Sequence, residues 1–209
     1  MVRILIADDH AIVRKGLKQL ILEEYHRAQI GEAADAEDLV KKAIFSKWDI
    51  VICDLNMPGR SGLDALKQIK QAVPTLPVLI MSMYPEDQYG VRVIKAGASG
   101  YLSKDSIHDV LIRAIRAVLS GKKFITSSIA EKLADVFYTG TEQPTHQSLS
   151  DREFEVFKLL ASGKKISEIA QQLSLSATTV STYRSRILEK MNMRSNTDLA
   201  RYALEKGLI

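Results

Sequence analysis

The 209-residue chain is poor in several residue types, with one cysteine, one tryptophan and five prolines. A single cysteine, Cys53, excludes an internal disulfide and fits a reducing, cytoplasmic setting. It sits inside the apolar run IVIC, so it reads as a small buried hydrophobe rather than a reactive thiol. No apolar run approaches the roughly 18 residues of a transmembrane helix. Arg3, Asp8 and Asp9 interrupt the N-terminus early, so neither a signal peptide nor a membrane partner is expected. A strong charge of one sign is missing too: the net charge is +4, far from histone-like.

What is present is an ordinary apolar fraction, 46%, enough for a real core in one or two domains. The charge is uneven. Ser148 to Ile209 holds ten Lys and Arg against seven Asp and Glu, whereas the rest holds nineteen against eighteen. A basic excess in a small C-terminal part points weakly to nucleic acid.

In chain order, VRILIA (Val2 to Ala7) is a β-branched run ending at Asp8-Asp9. Helical spacing follows from His10 to Glu24, a strand from Ala28 to Ala34, and a helix from Glu37 to Ser46. Asp49 to Cys53 is a third strand that stops at Asp54, followed by a turn with Asn56, Met57, Pro58, Gly59 and Gly62. Ser61 and Asp64 form a cap for a helix to about Ala72. Val78 to Met81 is a strand ending at Ser82, Pro85 to Ala96 a helix stopped by Gly97, and Gly100 to Leu102 a strand before Lys104. Ser106 and Asp109 cap a fifth helix to about Ser120. Five alternations of strand and helix predict an α/β domain, a doubly wound five-stranded parallel sheet, over residues 1–121. Residues 122–147 read as a linker with a possible short helix over Ser128 to Phe137; the stretch TGTEQPTHQ has no apolar residue. From 148 to 209 the periodicity is helical only: a Ser150/Glu153 capping box, a helix stopped by Gly163, a second from Ile166 to Leu173, a third from Thr178 to Met191, and a fourth capped by Asn196. Short helix, tight turn and longer helix make a helix-turn-helix.

The carboxyl ends of a parallel sheet share one edge, so Asp8, Asp9, Asp54, Ser82 and Lys104 converge although distant in sequence. Three neighbouring carboxylates repel unless a cation joins them, and Mg²⁺ suits such hard oxygen ligands. Asp54 beside Mg²⁺ and Lys104 is equipped to attack a phosphoryl group, with Ser82 donating to a phosphoryl oxygen. Taken singly, Asp8 and Asp9 would be helix caps, Ser82 a turn residue and Lys104 a solvated side chain. Their placement on one edge argues otherwise.

Asp8-Asp9, DLNMPG with Gly62, Ser82 and GASGYLSKD resemble the receiver domain of two-component response regulators over about Met1 to Gly121. The resemblance implies that Asp54 is the phosphoacceptor, and that Asp9 and Asp54 hold Mg²⁺ with the backbone carbonyl of Asn56, Asp8 acting mainly through water. It makes Ser82 and Lys104 phosphoryl ligands, and Tyr101 the switch aromatic that turns inward when Ser82 moves toward the phosphate. On its residues alone, Tyr101 is a half-buried strand aromatic.

On the third C-terminal helix, about 100° per residue puts Val180, Ile187 and Met191 on one buried stripe. Thr178, Thr182, Ser185 and Glu189 point the opposite way, flanked by Ser181 and Arg186, while Arg184 lies near the core edge. Small hydroxyl residues allow close approach to base edges in a major groove, and Arg184, Arg186, Lys190 and Arg194 can reach phosphates. Leu149-Ser150-x-Arg152-Glu153 through TTVSTYRSRILEKMNMRS resembles the LuxR-type DNA-binding domain, and with the receiver it resembles the NarL/FixJ class. Ser181 and Tyr183 stand where many members carry Lys and His.

These readings predict a non-enzymatic, DNA-binding transcription regulator, phosphorylated on Asp54 by a histidine kinase. The recognition helix would be covered or misplaced until phosphorylation favours a homodimer on an inverted repeat of double-stranded DNA. The fourth helix would pair the DNA-binding domains. Two rivals stay open: a regulator indifferent to phosphorylation, and a Mg²⁺-dependent phosphatase with an aspartyl intermediate. The phosphatase would usually need a second acid where Asn56 stands.

Overall fold

The computed structural model describes residues 1–57, 61–138 and 145–209, and side chains within these except Asp87, 106–109, 135–138, Thr145, Gln147 and Asp151. Pro58 and Gly59 of the expected turn, the 139–144 part of the expected linker, and the Ser106–Asp109 cap therefore lie outside what is described.

The chain forms two compact units, Met1–Ala134 and Asp135–Ile209. In the first, five strands alternate with helices: β1 (Arg3–Ala7), α1 (Ala11–Glu24), β2 (Gln29–Ala33), α2 (Ala36–Phe45), β3 (Ile50–Asp54), α3 (Gly62–Ala72), β4 (Val78–Ser82), α4 (Glu86–Lys95), β5 (Gly100–Ser103) and α5 (Ile107–Leu119). All neighbouring strands are parallel, in the order β2-β1-β3-β4-β5. The order reverses at β1/β3, which is where such sheets open a crevice at their carboxyl ends.

The strands are apolar on both faces because both faces are covered. Ile4, Ile6, Ile50, Ile52, Leu79 and Met81 pack with Leu17 and Ile21 of α1 and Leu111, Ala114, Ile115 and Val118 of α5. The alternate residues Leu5, Val51, Cys53 and Ile80 are equally buried and point to the opposite face. Each such aliphatic side chain contributes roughly 1.5–3 kcal/mol on burial. At the β2 edge there is no room beside Gly31, where a Cβ would lie 2.3 Å from the Trp48 ring.

The segment read as linker starts as part of the sheet. Phe124 donates its N–H to the Ser99 carbonyl (2.8 Å) and bridges to Gly100 in parallel. A helix, α6 (Ser127–Tyr138), follows. Thr126 is its cap, its Oγ1 accepting from Ile129 N–H at 3.3 Å.

The second unit has four main helices: α7 (Asp151–Ala161), α8 (Ile166–Gln172), α9 (Ala177–Lys190) and α10 (Asn196–Glu205). Phe154, Phe157, Leu160, Ile169, Val180, Ile187, Met191, Leu199 and Ala203 are among its buried apolar residues. The Ser150/Glu153 capping box starts α7, as the sequence predicts. The cap of the last helix differs: Ser195, not Asn196, is the N-cap, in a box with Asp198. Ser outcompetes Asn there because Asp three residues on can bond back to the Ser195 N–H. Asn196 instead accepts from Arg184 Nε through Oδ1 (2.7 Å).

Candidate functional site

The sheet register builds the first site. Ala7 stands beside Cys53, Asp54 beside Met81, and Ser82 beside Ser103, so the residues that end β1, β3, β4 and β5 share one edge. Asp8 and Ser82 have no exposed surface and Asp54 almost none. Lys104 follows β5 and bridges the two carboxylates, its Nζ 2.7 Å from Asp8 Oδ2 and 2.8 Å from Asp54 Oδ2. One ammonium cannot neutralise two buried carboxylates, and Asp9 lies beside them.

The electrostatics follow from this shortage. Burial raises the Asp54 carboxyl above the usual range, opposed by Lys104 and by the backbone N–H of Asn56. For Lys104 burial favours the neutral amine, but the Asp54 and Asp8 carboxylates together win and hold the ammonium above its usual range. Asp8 is fixed from several sides: Oδ1 accepts from the His10 N–H (2.8 Å), and its carbonyl accepts from Arg14 Nη1 (2.7 Å). Arg14 is in turn held by Glu32 of β2 (3.2 Å).

The donor set suits a hard divalent cation. Asp9 Oδ1 is a buried oxygen with no hydrogen-bond donor, although His10 Nδ1 lies 2.8 Å away without bonding geometry. Ligand atoms of Asp8, Asp9 and His10 lie within 4.8 Å of one another. Carboxylates with a surplus negative charge and one unsatisfied oxygen are what a cation would complete. His10 is the residue that sequence reasoning missed. Its signal was the run Asp8-Asp9-His10, in which a helix-start imidazole falls next to both acids.

Ser82 accepts the Tyr84 N–H at Oγ (3.0 Å). Tyr101 is fully buried, not half-buried, because its hydroxyl reaches the Tyr84 carbonyl (2.6 Å) beneath the β4–α4 loop. Gly62 explains the tight turn after Asp54: it donates its N–H to Leu55 O (2.8 Å), and a Cβ on it would lie 2.0 Å from the Asp54 carbonyl oxygen.

The second site lies on α9. Ser174, at φ 53°, turns the chain between α8 and α9, and Ser176 caps α9 by accepting from Thr179 N–H (3.0 Å). Val180, Ile187 and Met191 are buried, while Thr178, Thr182, Ser185, Arg186 and Glu189 are exposed and Ser181 is half-buried. Two cations of the predicted set have internal partners. Arg184 bonds Asn196, and Lys190 Nζ lies 2.6 Å from the buried Glu153 carboxylate, tying the end of α9 to the start of α7. Arg152 joins α7 to the end of α8 through the Leu173 carbonyl (2.9 Å). The Arg152-Glu153 pair thus sets the helix-turn-helix geometry.

Comparison with known proteins agrees over both units. Residues 4–116 match the response regulator receiver domain family, and residues 147–203 match the luxR family of bacterial regulatory proteins. The chain is 35% identical to the response regulator UvrY of Escherichia coli K12, over 100% of this chain and 96% of that protein. It is 35% identical to the oxygen regulatory protein NreC of Staphylococcus carnosus, over 99% of each. The structure of RcsB from Salmonella enterica serovar Typhimurium, bound to promoter rprA with the phosphomimetic BeF3-, superposes with a TM-score of 0.65 at 26% identity, covering 97% of this chain and 98% of RcsB. With an acidic receiver pocket and a helix-turn-helix on one chain, this protein belongs to the NarL/FixJ family of two-component response regulators, as a DNA-binding transcription regulator.

Proposed function

We propose that this chain is a cytoplasmic, non-enzymatic phosphorylation switch: a histidine kinase, or a small phosphodonor, transfers a phosphoryl group to Asp54, and the output is binding of double-stranded DNA. The observation that carries the reading is Lys104 bridging Asp54 and Asp8 on one sheet edge with the buried Ser82 hydroxyl on the neighbouring strand. A bond forms between an Asp54 carboxylate oxygen and phosphorus as the donor's bond to phosphorus breaks. Lys104 then neutralises phosphoryl charge and Ser82 donates its hydroxyl. Asp9, Asp54 and the Asn56 carbonyl would hold Mg²⁺, with Asp8 acting through water. When bound, the ion supplies positive charge against the equatorial phosphoryl oxygens.

A Ser82 side chain that swings its hydroxyl toward a phosphoryl oxygen on Asp54 carries Oγ away from the Tyr84 N–H that it accepts now, which makes Tyr84, and Tyr101 bonded to its carbonyl, the parts that feel the modification. On α9 the exposed Thr178, Thr182, Ser185 and Arg186, with Ser181, face base edges in the major groove; Arg184 and Lys190 serve phosphates from the rim. Leu204 of α10 is 66% exposed whereas Leu199 and Ala203 are buried, which supports α10 as the pairing surface of a dimer on an inverted repeat. The proposed domains are the receiver over 1–121 and the DNA-binding domain over 148–209; of the 122–147 segment between them, Phe124 and the start of α6 pack with the receiver.

The test is footprinting on genomic fragments with and without acetyl phosphate and Mg²⁺, paired with intact-mass measurement. One phosphoryl group is expected on the wild type and none on Asp54→Asn, with protection strengthened only when the group is present. Asp54→Asn protein that still gained affinity under phosphodonor would contradict the switch. Steady release of many phosphate equivalents from a phosphomonoester would favour the phosphatase.

A further inference from the structure

Helix α6 begins on the receiver, and its docking point is unusually specific. Ile129 is fully buried, and its Cγ1 and Cδ1 occupy the place where residue 90 would carry a side chain. A Cβ on Gly90 would lie 2.7 Å from Ile129 Cγ1 and 2.6 Å from Cδ1. Gly90 is in the middle of α4, where glycine weakens a helix. Its φ is not in the left-handed region, so space, not backbone conformation, is what glycine provides there. The chain ahead of α6 is stitched to β5 by the Phe124 bridge to Gly100, so α6 leaves the receiver from a fixed root.

The same corner is wired to the carboxylate edge. Tyr84 gives its N–H to Ser82 Oγ (3.0 Å), takes the Tyr101 hydroxyl on its carbonyl (2.6 Å), and stacks its ring on Tyr89 at 4.9 Å and 17°. Tyr89 is the residue before Gly90. From Ser82 to Ile129 there is thus an unbroken sequence of bonded, stacked or packed groups: Ser82, Tyr84, Tyr89, Gly90, Ile129. Protein interiors are close-packed, so a displacement of a few tenths of an ångström at Tyr89 cannot be absorbed at a contact with no free space.

We propose that the Gly90 notch of α4 is an intramolecular docking surface for α6, and that phosphorylation is relayed to the DNA-binding unit by repositioning Ile129 in this notch. The relay rests on the switch reading of Asp54. When the Ser82 hydroxyl turns to a phosphoryl oxygen, the Tyr84 N–H loses its acceptor. Tyr84 moves, the stacked Tyr89 follows, and the α4 turn bearing Gly90 shifts under Ile129. In sequence α6 lies between the receiver and the DNA-binding helices, so a shift at its root is passed along the chain.

The experiment uses the full chain, a DNA fragment from the footprint, and acetyl phosphate with Mg²⁺. For the wild type a rise in DNA affinity of about tenfold on phosphorylation is expected, within the usual range of allosteric coupling. Gly90→Ala should still take up one phosphoryl group on Asp54, because residue 90 is none of the groups that accept or hold it, yet gain less than about twofold in affinity. Adding Ile129→Ala to Gly90→Ala removes both clashing carbons and should restore most of the gain. Ile129→Ala alone, which leaves a hole without a clash, should also blunt the gain and serves if Gly90→Ala does not fold. Amide exchange over residues 127–134 should change when beryllofluoride is added to the wild type. A full gain in Gly90→Ala or in Ile129→Ala, a folded double variant without rescue, or unchanged exchange overturns the relay and leaves the switch reading standing. A wild type with no gain overturns both.

Discussion

Lys104 is the residue on which the carboxylate edge depends in the absence of a divalent cation. It is the ion-pair partner of two almost fully buried carboxylates, and removing one partner of a buried pair is costly because the other charge remains. Lys104→Met should therefore destabilise the metal-free protein by about 3 kcal/mol at neutral pH. The loss should shrink on acidification, because Asp54 already binds its proton above the usual range and would do so more readily without the ammonium. It should also shrink when Mg²⁺ is added. Urea denaturation at pH 7 and pH 5, with EDTA or with Mg²⁺, checks this; a loss independent of both would mean that the pair is not what stabilises the edge. The residues of this cluster were legible because each ends a strand and the parallel sheet does the converging. His10 was not, since its approach to Asp8 and Asp9 depends on how the chain turns into α1. The internal ties of Arg184 and Lys190 were hidden for a different reason: their partners, Asn196 and Glu153, are distant along the chain, and periodicity shows a face but not a contact.

Among elements, the β3–α3 turn is set by an exclusion. Gly62 has an ordinary φ, yet a Cβ would meet the Asp54 carbonyl oxygen at 2.0 Å, its carbon at 2.9 Å and Leu55 Cα at 3.0 Å. All three are backbone atoms that cannot rotate away. Gly62→Ala should displace the start of α3, strain the Ser61 cap on Asp64, and cost about 2 kcal/mol, within the range for overpacked sites. The phosphorylation rate of Asp54 should fall with it. Gly16 of α1 is the matched control, since nothing lies within 4 Å of its Cβ position and alanine there relieves a poor helix former. Urea midpoints and phosphodonor kinetics on the two variants decide it: equal behaviour would remove the steric account. Strands and helices were readable to within a residue or two because apolar runs and helical spacing are local signals. The start of the interdomain segment was not. Phe124 joins the sheet through a long-range bridge to Gly100, and a stretch with Lys122 and Lys123 beside it carries no strand pattern of its own.

At the scale of the molecule the two units should respond to acid with opposite sign. In the receiver, burial raises the Asp54 carboxyl, so the folded state binds this proton more tightly than the unfolded chain. That contribution is complete below the unfolded pKa of about 4 and is lost as pH rises through the higher folded value. In the DNA-binding unit burial pushes Glu153 up, but Lys190 and the Ser150 cap outweigh it and hold the carboxyl below its usual range. Its contribution is present above the unfolded pKa and is lost as pH falls through the folded value. Lowering pH from neutral through the raised folded value of Asp54, without divalent cations, should therefore add stability to the receiver, while the Glu153 contribution stays untouched above the unfolded carboxylate range. Below about pH 4 the second unit should weaken through Glu153. Trp48, the single tryptophan, reports the receiver by fluorescence, and amide exchange along α9 reports the other unit. Asp54→Asn should flatten the first slope alone. Glu153→Gln should flatten the second alone, at a cost of roughly 1–3 kcal/mol at neutral pH for the lost charged hydrogen bonds. Slopes that moved together in both variants would show that the units unfold as one, and the assignment of each carboxylate to its own unit's stability would fall.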